Sequence, residues 1–185
     1  MRKILKKYPS LSDFLDYPDS KPASEYINGT IIQKPMPDGE HSLIQGALCE
    51  RINIVTEPAK TALAFPELRC TFAGHSLVPD IAVFRWQRIP KTDSGRIANR
   101  FNTYPDWLIE ILSPQQSTTQ VLNKLLQACQ QGTQLGWLIN PEEATVLVIS
   151  ENQRLDVFSQ DDQLPVLEEI DLSLTVGNIL EWLTV

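Results

Sequence analysis

Apolar residues recur along this chain with two different periods. From His41 onward, Leu43, Ile44, Ala47, Leu48, Ile52 and Val55 return every three or four positions, which predicts an amphipathic helix that Pro58 ends. A second helix opens at Ser117, carries Val121, Leu122, Leu125, Leu126 and Cys129 on one face, and stops at Gly132. A short helix over 175–183 closes the chain, and Ser10 caps another in Ser10-Leu-Ser-Asp-Phe-Leu. Between the helices lie strand signals. Tyr26-Ile-Asn-Gly-Thr-Ile-Ile places Asn-Gly between β-branched and aromatic residues, the strongest short-range sign of a hairpin. Strands are expected over 67–72 and 77–84, at Trp107-Leu-Ile-Glu-Ile-Leu and at Gly136-Trp-Leu-Ile-Asn-Pro, with a second hairpin across Glu151-Asn-Gln. Residues 85–104 are polar, basic and unpatterned, and a loop of that length is usually functional or mobile. The order predicts an α/β (α+β) fold: a mixed central β-sheet flanked by helices, with N-terminal and C-terminal β-hairpin additions. Residues 24–185 read as one domain and 1–23 as an N-terminal extension.

Composition narrows this picture. With 185 residues, 42% hydrophobic and 21% charged, the chain can bury a real core. No apolar run nears the roughly 18–20 residues of a membrane span, and the basic N-terminus lacks the apolar core of a secretory signal. Cys49, Cys70 and Cys129 are odd in number, widely separated and without a CxxC pair. A zinc cage is therefore not expected, and a reduced, cytoplasmic setting is. Neither a membrane partner nor a nucleotide cofactor is expected. The net charge of −7 is unevenly spread: residues 141–185 hold ten acids against Arg154 alone, and the other 140 residues are slightly basic. Arg85, Arg88, Lys91, Arg96 and Arg100 face only Asp93 in the long loop, so the acidic total does not exclude a polyanionic partner.

Two carboxylates interrupt apolar strands. Asp80 follows Pro79 and precedes Ile-Ala-Val-Phe, and Glu110 sits between Leu-Ile and Ile-Leu. An uncompensated buried carboxylate costs several kcal/mol. Each therefore needs a basic partner, for which Arg69 or Arg85 would serve, or the two converge on a divalent cation such as Mg²⁺.

Pro79-Asp80 followed by Glu110 in an apolar strand resembles the half-motif of the PD-(D/E)XK nuclease superfamily. The ordered series Pro66-Glu-Leu-Arg, Ser76-Leu-Val-Pro-Asp-Ile-Ala-Val-Phe, Pro105-Asp-Trp-Leu-Ile-Glu-Ile-Leu-Ser-Pro and Gly132-Thr-Gln-Leu-Gly-Trp-Leu-Ile-Asn-Pro is similar to the bacterial family of putative restriction endonucleases, over roughly residues 24 to 183. The resemblance implies a restriction-endonuclease-like fold and a Mg²⁺-dependent (or Mn²⁺-dependent) DNA endonuclease. Asp80, Glu110 and the backbone carbonyl of Ile111 would hold the metal, and Asp80, Glu110 and Lys124 would be catalytic. The lysine departs from the pattern: Leu112 stands two residues after Glu110, and Lys124 on the following helix is the substitute that this family often uses. The alternative is a nuclease-fold binding or interaction module that has lost its chemistry.

Glu67 is a candidate third acidic ligand or a partner of Arg69. His41 and Gln45, four apart on one helix face, are candidate additions to the site. Arg85, Arg88, Arg96 and Arg100 are the expected contacts to DNA phosphates. The apolar strands between 136 and 159 predict a homodimer, unless the closing helix covers them itself.

Overall fold

The computed structural model describes residues 10–114 and 116–184, together with the backbone of Ile4–Leu5. Two sheets organise it. The peripheral sheet is antiparallel and has the order β1 (Ile4–Leu5), β3 (Thr30–Gln33), β2 (Ser24–Ile27), β6 (His75–Leu77), β5 (Cys70–Phe72). The central sheet runs β11 (Leu155–Ser159), β10 (Thr145–Ser150), β9 (Leu135–Asn140), β8 (Trp107–Ile111), β7 (Ile81–Arg85), β4 (Ala62–Pro66). Its β8–β9 pair is parallel and the others antiparallel, so the sheet is mixed as expected. Among the described residues four α-helices accompany the sheets: α1 (Leu11–Leu15), α2 (Gly39–Ala59), α3 (Thr118–Gln130) and α4 (Val176–Glu181).

Local chemistry accounts for these elements. Asn28 and Gly29 both take positive φ, 50° and 74°, which gives β2 and β3 a two-residue turn whose twist suits a hairpin. Ser10, Asp38 and Thr175 cap α1, α2 and α4 by accepting an N–H from the first turn. α2 runs through Pro58 to Ala59 and ends where Lys60 turns left-handed, so the proline does not itself end the helix. α3 provides the crossover that a parallel pair needs, linking β8 to β9. Gly132, at φ 117°, lets the chain leave α3 against the Tyr104 ring, where a Cβ would lie 2.4 Å from a ring carbon.

The strand expectations for 67–72 and 77–84 need correction. Ala62–Pro66 forms the unexpected strand β4, Glu67 turns with φ 48°, and β5 begins only at Cys70. The second run divides into β6 and β7, which belong to different sheets. Val78-Pro79-Asp80 bridges them, and proline, lacking an N–H, suits that break in the ladder. Asp80 thus stands where the chain passes from one sheet to the other.

Side chains of the central strands alternate between two cores. Trp107, Ile109, Ile111, Trp137 and Ile139 face α2 and the segment from Leu164 to Ile179. Trp107 and Trp137 meet edge to face at 4.6 Å. Leu108 and Leu138 face α3 and residues of the peripheral sheet, including Cys70, Phe72 and Leu77. Glu110 has the parity of Leu108, so the pleat points it toward α3 and the peripheral sheet. The three cysteines are free and buried. Among the described residues no helix is long and apolar enough to cross a membrane.

Candidate active site

Asp80 and Glu110 are both buried, and they lie close to each other. β7 and β8 are neighbours with Ile81 opposite Ile109, which brings the residue before β7 beside the end of β8. Asp80 Oδ2 accepts the Ile111 amide at 2.7 Å, which ties the two strand ends together.

Neither carboxylate is matched by an arginine. Arg69 pairs with Asp19 at 2.8 Å, and Arg85 pairs with Asp106 at 2.8 Å and also with Glu169. Two lysines take their place, Lys124 buried and Lys34 half-buried. Lys34 Nζ lies 2.5 Å from Asp80 Oδ1, 3.5 Å from Glu110 Oε2 and 2.8 Å from the Val78 carbonyl oxygen, to which it donates. Lys124 Nζ lies 2.7 Å from Glu110 Oε1 and donates to both oxygens of Glu25, at 2.9 and 3.1 Å. Glu25 also accepts the Val78 amide at 2.8 Å. Charges alternate along the row Asp80, Lys34, Glu110, Lys124, Glu25. Lys34 and Glu25 are the residues that sequence reasoning missed.

The α2 residues converge on the same point. His41 Nε2 is 3.1 Å from Asp80 Oδ2; an ionised carboxylate only accepts, so Nε2 carries the proton. One turn on, Gln45 donates to the Asp80 carbonyl at 2.8 Å. His41 and Gln45 therefore do join the cluster. Glu67 is exposed; its amide donates to the Asp80 carbonyl at 3.1 Å, and it lines the cleft beside the cluster. That cleft, about 460 Å³, is also lined by Lys34, Met36, Arg69, Asp80, Ser113 and Gln116. A second groove of about 610 Å³ shares Asp19, Ser20 and Arg69 with it and continues to Phe14, Phe101 and Arg100.

Burial and pairing set the ionisation. Burial alone would raise the Asp80 carboxyl, yet Lys34, helped by His41 and the Ile111 amide, holds it well below the usual carboxylate range. Glu110 goes the other way: burial pushes it up to about 7, against the pull of Lys124 and Lys34 and with the help of Asp80. Burial would lower both lysines. Glu110, Asp80 and Glu25 hold Lys34 above the ordinary amine range, and Glu110 and Glu25 do the same for Lys124.

The donor set suits a hard divalent cation. Two carboxylates and a backbone carbonyl converge on one point, and a single ammonium now stands among those oxygens. The Val78 carbonyl accepts from that ammonium, and Ile111, whose amide donates to Asp80, lines the same cleft. Among the described residues no group of three or more His, Cys, Asp or Glu is placed to hold a metal ion, so the protein would supply only part of a coordination shell. A metal here would therefore keep several waters, as Mg²⁺ does.

The basic loop divides in two. Arg85 and Arg88 both bind Asp106, at 2.8 and 2.7 Å, and Arg88 also stacks on Tyr104 at 4.4 Å. Asp106 precedes β8 at the end away from Glu110, roughly 13 Å of strand distant. These two half-buried arginines are thus engaged by the buried Asp106, and Arg85 by Glu169 as well. Arg96 and Arg100 are exposed, and Arg100 lines the second groove.

No curated protein matches the chain. A crystal structure described as a putative nuclease belonging to DUF820, from Anabaena variabilis ATCC 29413, is 50% identical over 94% of this chain and 98% of its own, with a TM-score of 0.92. The profile of the family described as "Putative restriction endonuclease" (Uma2) matches residues 11–177. With that span covering most of its length, the chain belongs to this Uma2 family.

Proposed function

We propose that the protein is a metal-dependent DNA endonuclease of the PD-(D/E)XK type, with Asp80 and Glu110 as the ligands of Mg²⁺ or Mn²⁺. The observation that carries this reading is the pair of buried carboxylates sharing one cation position beside an open cleft. When bound, the metal would acidify a coordinated water and offset charge developing on the scissile phosphate. The chain's own residues do the rest. The Ile111 amide and His41 fix the Asp80 carboxylate, leaving its other oxygen toward the cation position. Lys124, enclosed by Glu25 and Glu110, acts as a positioning residue: it holds Glu110 in its rotamer and favours its ionised form. Arg69 and Arg100 line the path on which a phosphate backbone would lie, and Arg96 adds charge on the exposed loop.

The test is cleavage of plasmid and single-stranded DNA with Mg²⁺ or Mn²⁺, comparing wild type with Asp80→Ala. Metal-dependent cleavage abolished in the variant supports the reading, and equal cleavage by both refutes it. One observation favours the binding-module alternative. Asp80 and Glu110 each already face a lysine, so cationic partners stand in the cluster without a metal. Absence of cleavage together with intact DNA binding would establish that alternative.

A homodimer belongs to the same proposal, with its route changed. Leu164, Leu167, Ile170, Leu174, Val176 and Ile179 cover the inner face of β9 and β10. The surface left for a second copy is the edge strand β11, where Leu155 and Val157 are exposed.

A further inference from the structure

Lys34 is the first residue after β3, and two features pin its backbone. Its amide donates to the Ala23 carbonyl at 2.9 Å, and Pro35 follows directly. From that fixed base the side chain crosses from the peripheral sheet to the central one and ends among oxygens of Asp80, Glu110 and Val78. These are the atoms a hard cation would use. Lys34 also lines the 460 Å³ cleft, whereas Lys124 does not.

The charge balance argues for exchange rather than coexistence. Three carboxylates, Asp80, Glu110 and Glu25, face two ammoniums, Lys34 and Lys124. Counting those five groups in their ionised forms, one negative charge is left over. A divalent ion added beside Lys34 would leave an excess positive charge and set two cations on the same oxygens. A divalent ion in place of the Lys34 ammonium would bring the cluster to neutrality.

We infer that Lys34 is a built-in counter-cation that holds the metal position and leaves it when metal binds. This inference rests on the metal-site reading above. Before metal arrives, the ammonium keeps two carboxylates together that would otherwise repel. Once displaced, the long arm swings into the cleft it already lines, beside Arg69 and Gln116, and presents its charge to the substrate phosphates. The site therefore changes hands between an internal and an external cation, with one side chain serving both states.

Calorimetric titration of the full chain with Mn²⁺ tests this, using wild type, Lys34→Met, Lys34→Gln and Asp80→Ala. Removing an internal competitor that fills the site nine parts in ten raises apparent affinity about tenfold. Lys34→Met and Lys34→Gln should therefore bind Mn²⁺ about tenfold more tightly than wild type. Equal or weaker binding, with wild-type binding still abolished by Asp80→Ala, overturns the inference and spares the metal site. If neither wild type nor the Lys34 variants bind Mn²⁺, both fail. Wild-type protein gives a second measurement that needs no Lys34 variant. Amine acetylation read by mass spectrometry should label Lys34 several-fold faster in saturating Mn²⁺ than in chelator, with Lys124 as the buried reference. Unchanged Lys34 labelling would also overturn the inference.

Discussion

Replacing Asp80 by asparagine, in protein kept free of metal, separates a compensated cluster from a pair of repelling carboxylates. Two anions without partners would gain stability when one is neutralised. Here Asp80 receives three donors: Lys34 at 2.5 Å, the Ile111 amide at 2.7 Å and His41 Nε2 at 3.1 Å. An asparagine has one acceptor oxygen to offer them, and its amide group faces donors. Lys34 would keep the Val78 carbonyl and the more distant Glu110, with only 9% of its side chain exposed. Removing one partner of a buried pair costs about 3–5 kcal/mol. The remaining Glu110 contact places Asp80→Asn at the lower end, about 3 kcal/mol. That is a large share of the roughly 5–15 kcal/mol that holds a domain together, and it should lower Tm by about 6–12 °C for a chain of this length. The assay is urea unfolding in chelator, with Asp80→Asn, Lys34→Met and the double variant completing a cycle. The double variant should recover about 2 kcal/mol or more of the summed losses. Asp156→Asn is the control, because its pair with Arg154 is largely exposed (71% and 41%) and is worth about 0.5 kcal/mol or less. A loss below about 1 kcal/mol for Asp80→Asn would refute the view that the cluster is held by its lysines.

Because Glu110 titrates near 7 when folded and near 4.5 otherwise, the folded chain keeps a proton that the unfolded chain has given up. Its contribution is complete below about pH 4.5 and is lost as pH rises to about 7, so Tm measured in chelator across that range should fall less in Glu110→Gln than in wild type. Asp80 has the opposite sign: its contribution is present above its ordinary pKa and is lost as pH falls below it. Arg88→Ala should lower stability while leaving DNA affinity unchanged, and Arg100→Ala should reduce DNA affinity and lower the salt slope by about 1 in a titration across ionic strength. Light scattering at micromolar concentration should give two chains for wild type and one for Val157→Lys; a variant mass still equal to two chains would rule out assembly through β11.

Much of the site was legible because its members broke a local pattern. Asp80 and Glu110 interrupted apolar strands, Lys124 stood among leucines on an amphipathic face, and His41 and Gln45 shared a helix side. Lys34 and Glu25 gave no such sign. Charged residues on a short hairpin resemble any solvent-facing edge, and only docking of the peripheral sheet over β8 turns them inward. Lys34 lies 46 residues from Asp80, and Glu25 lies 99 from Lys124, so no local spacing joins either pair. The pairing of Arg85 and Arg88 was hidden for the complementary reason: their partner Asp106 lies beyond the basic loop, and charge density alone does not reveal an internal acceptor. β4 escaped because Ala62-Leu-Ala-Phe-Pro has little β-branched character and follows a helix after only Lys60 and Thr61.

The alternating row of charges also bears on how such a protein can change over generations. Four members are buried, Lys34 reaches them from the edge of the cleft, and each leans on a neighbour of opposite sign; the row spans the start of β7, the end of β3, β8, α3 and β2. A lineage that no longer needs the chemistry cannot simply discard one carboxylate, because the orphaned ammonium would undermine the fold that remains. Neutral drift away from catalysis must pass through paired replacements, such as Asp80 with Lys34 or Lys124 with Glu25. The five positions should therefore vary together among descendants, and relics of the site should outlast its use.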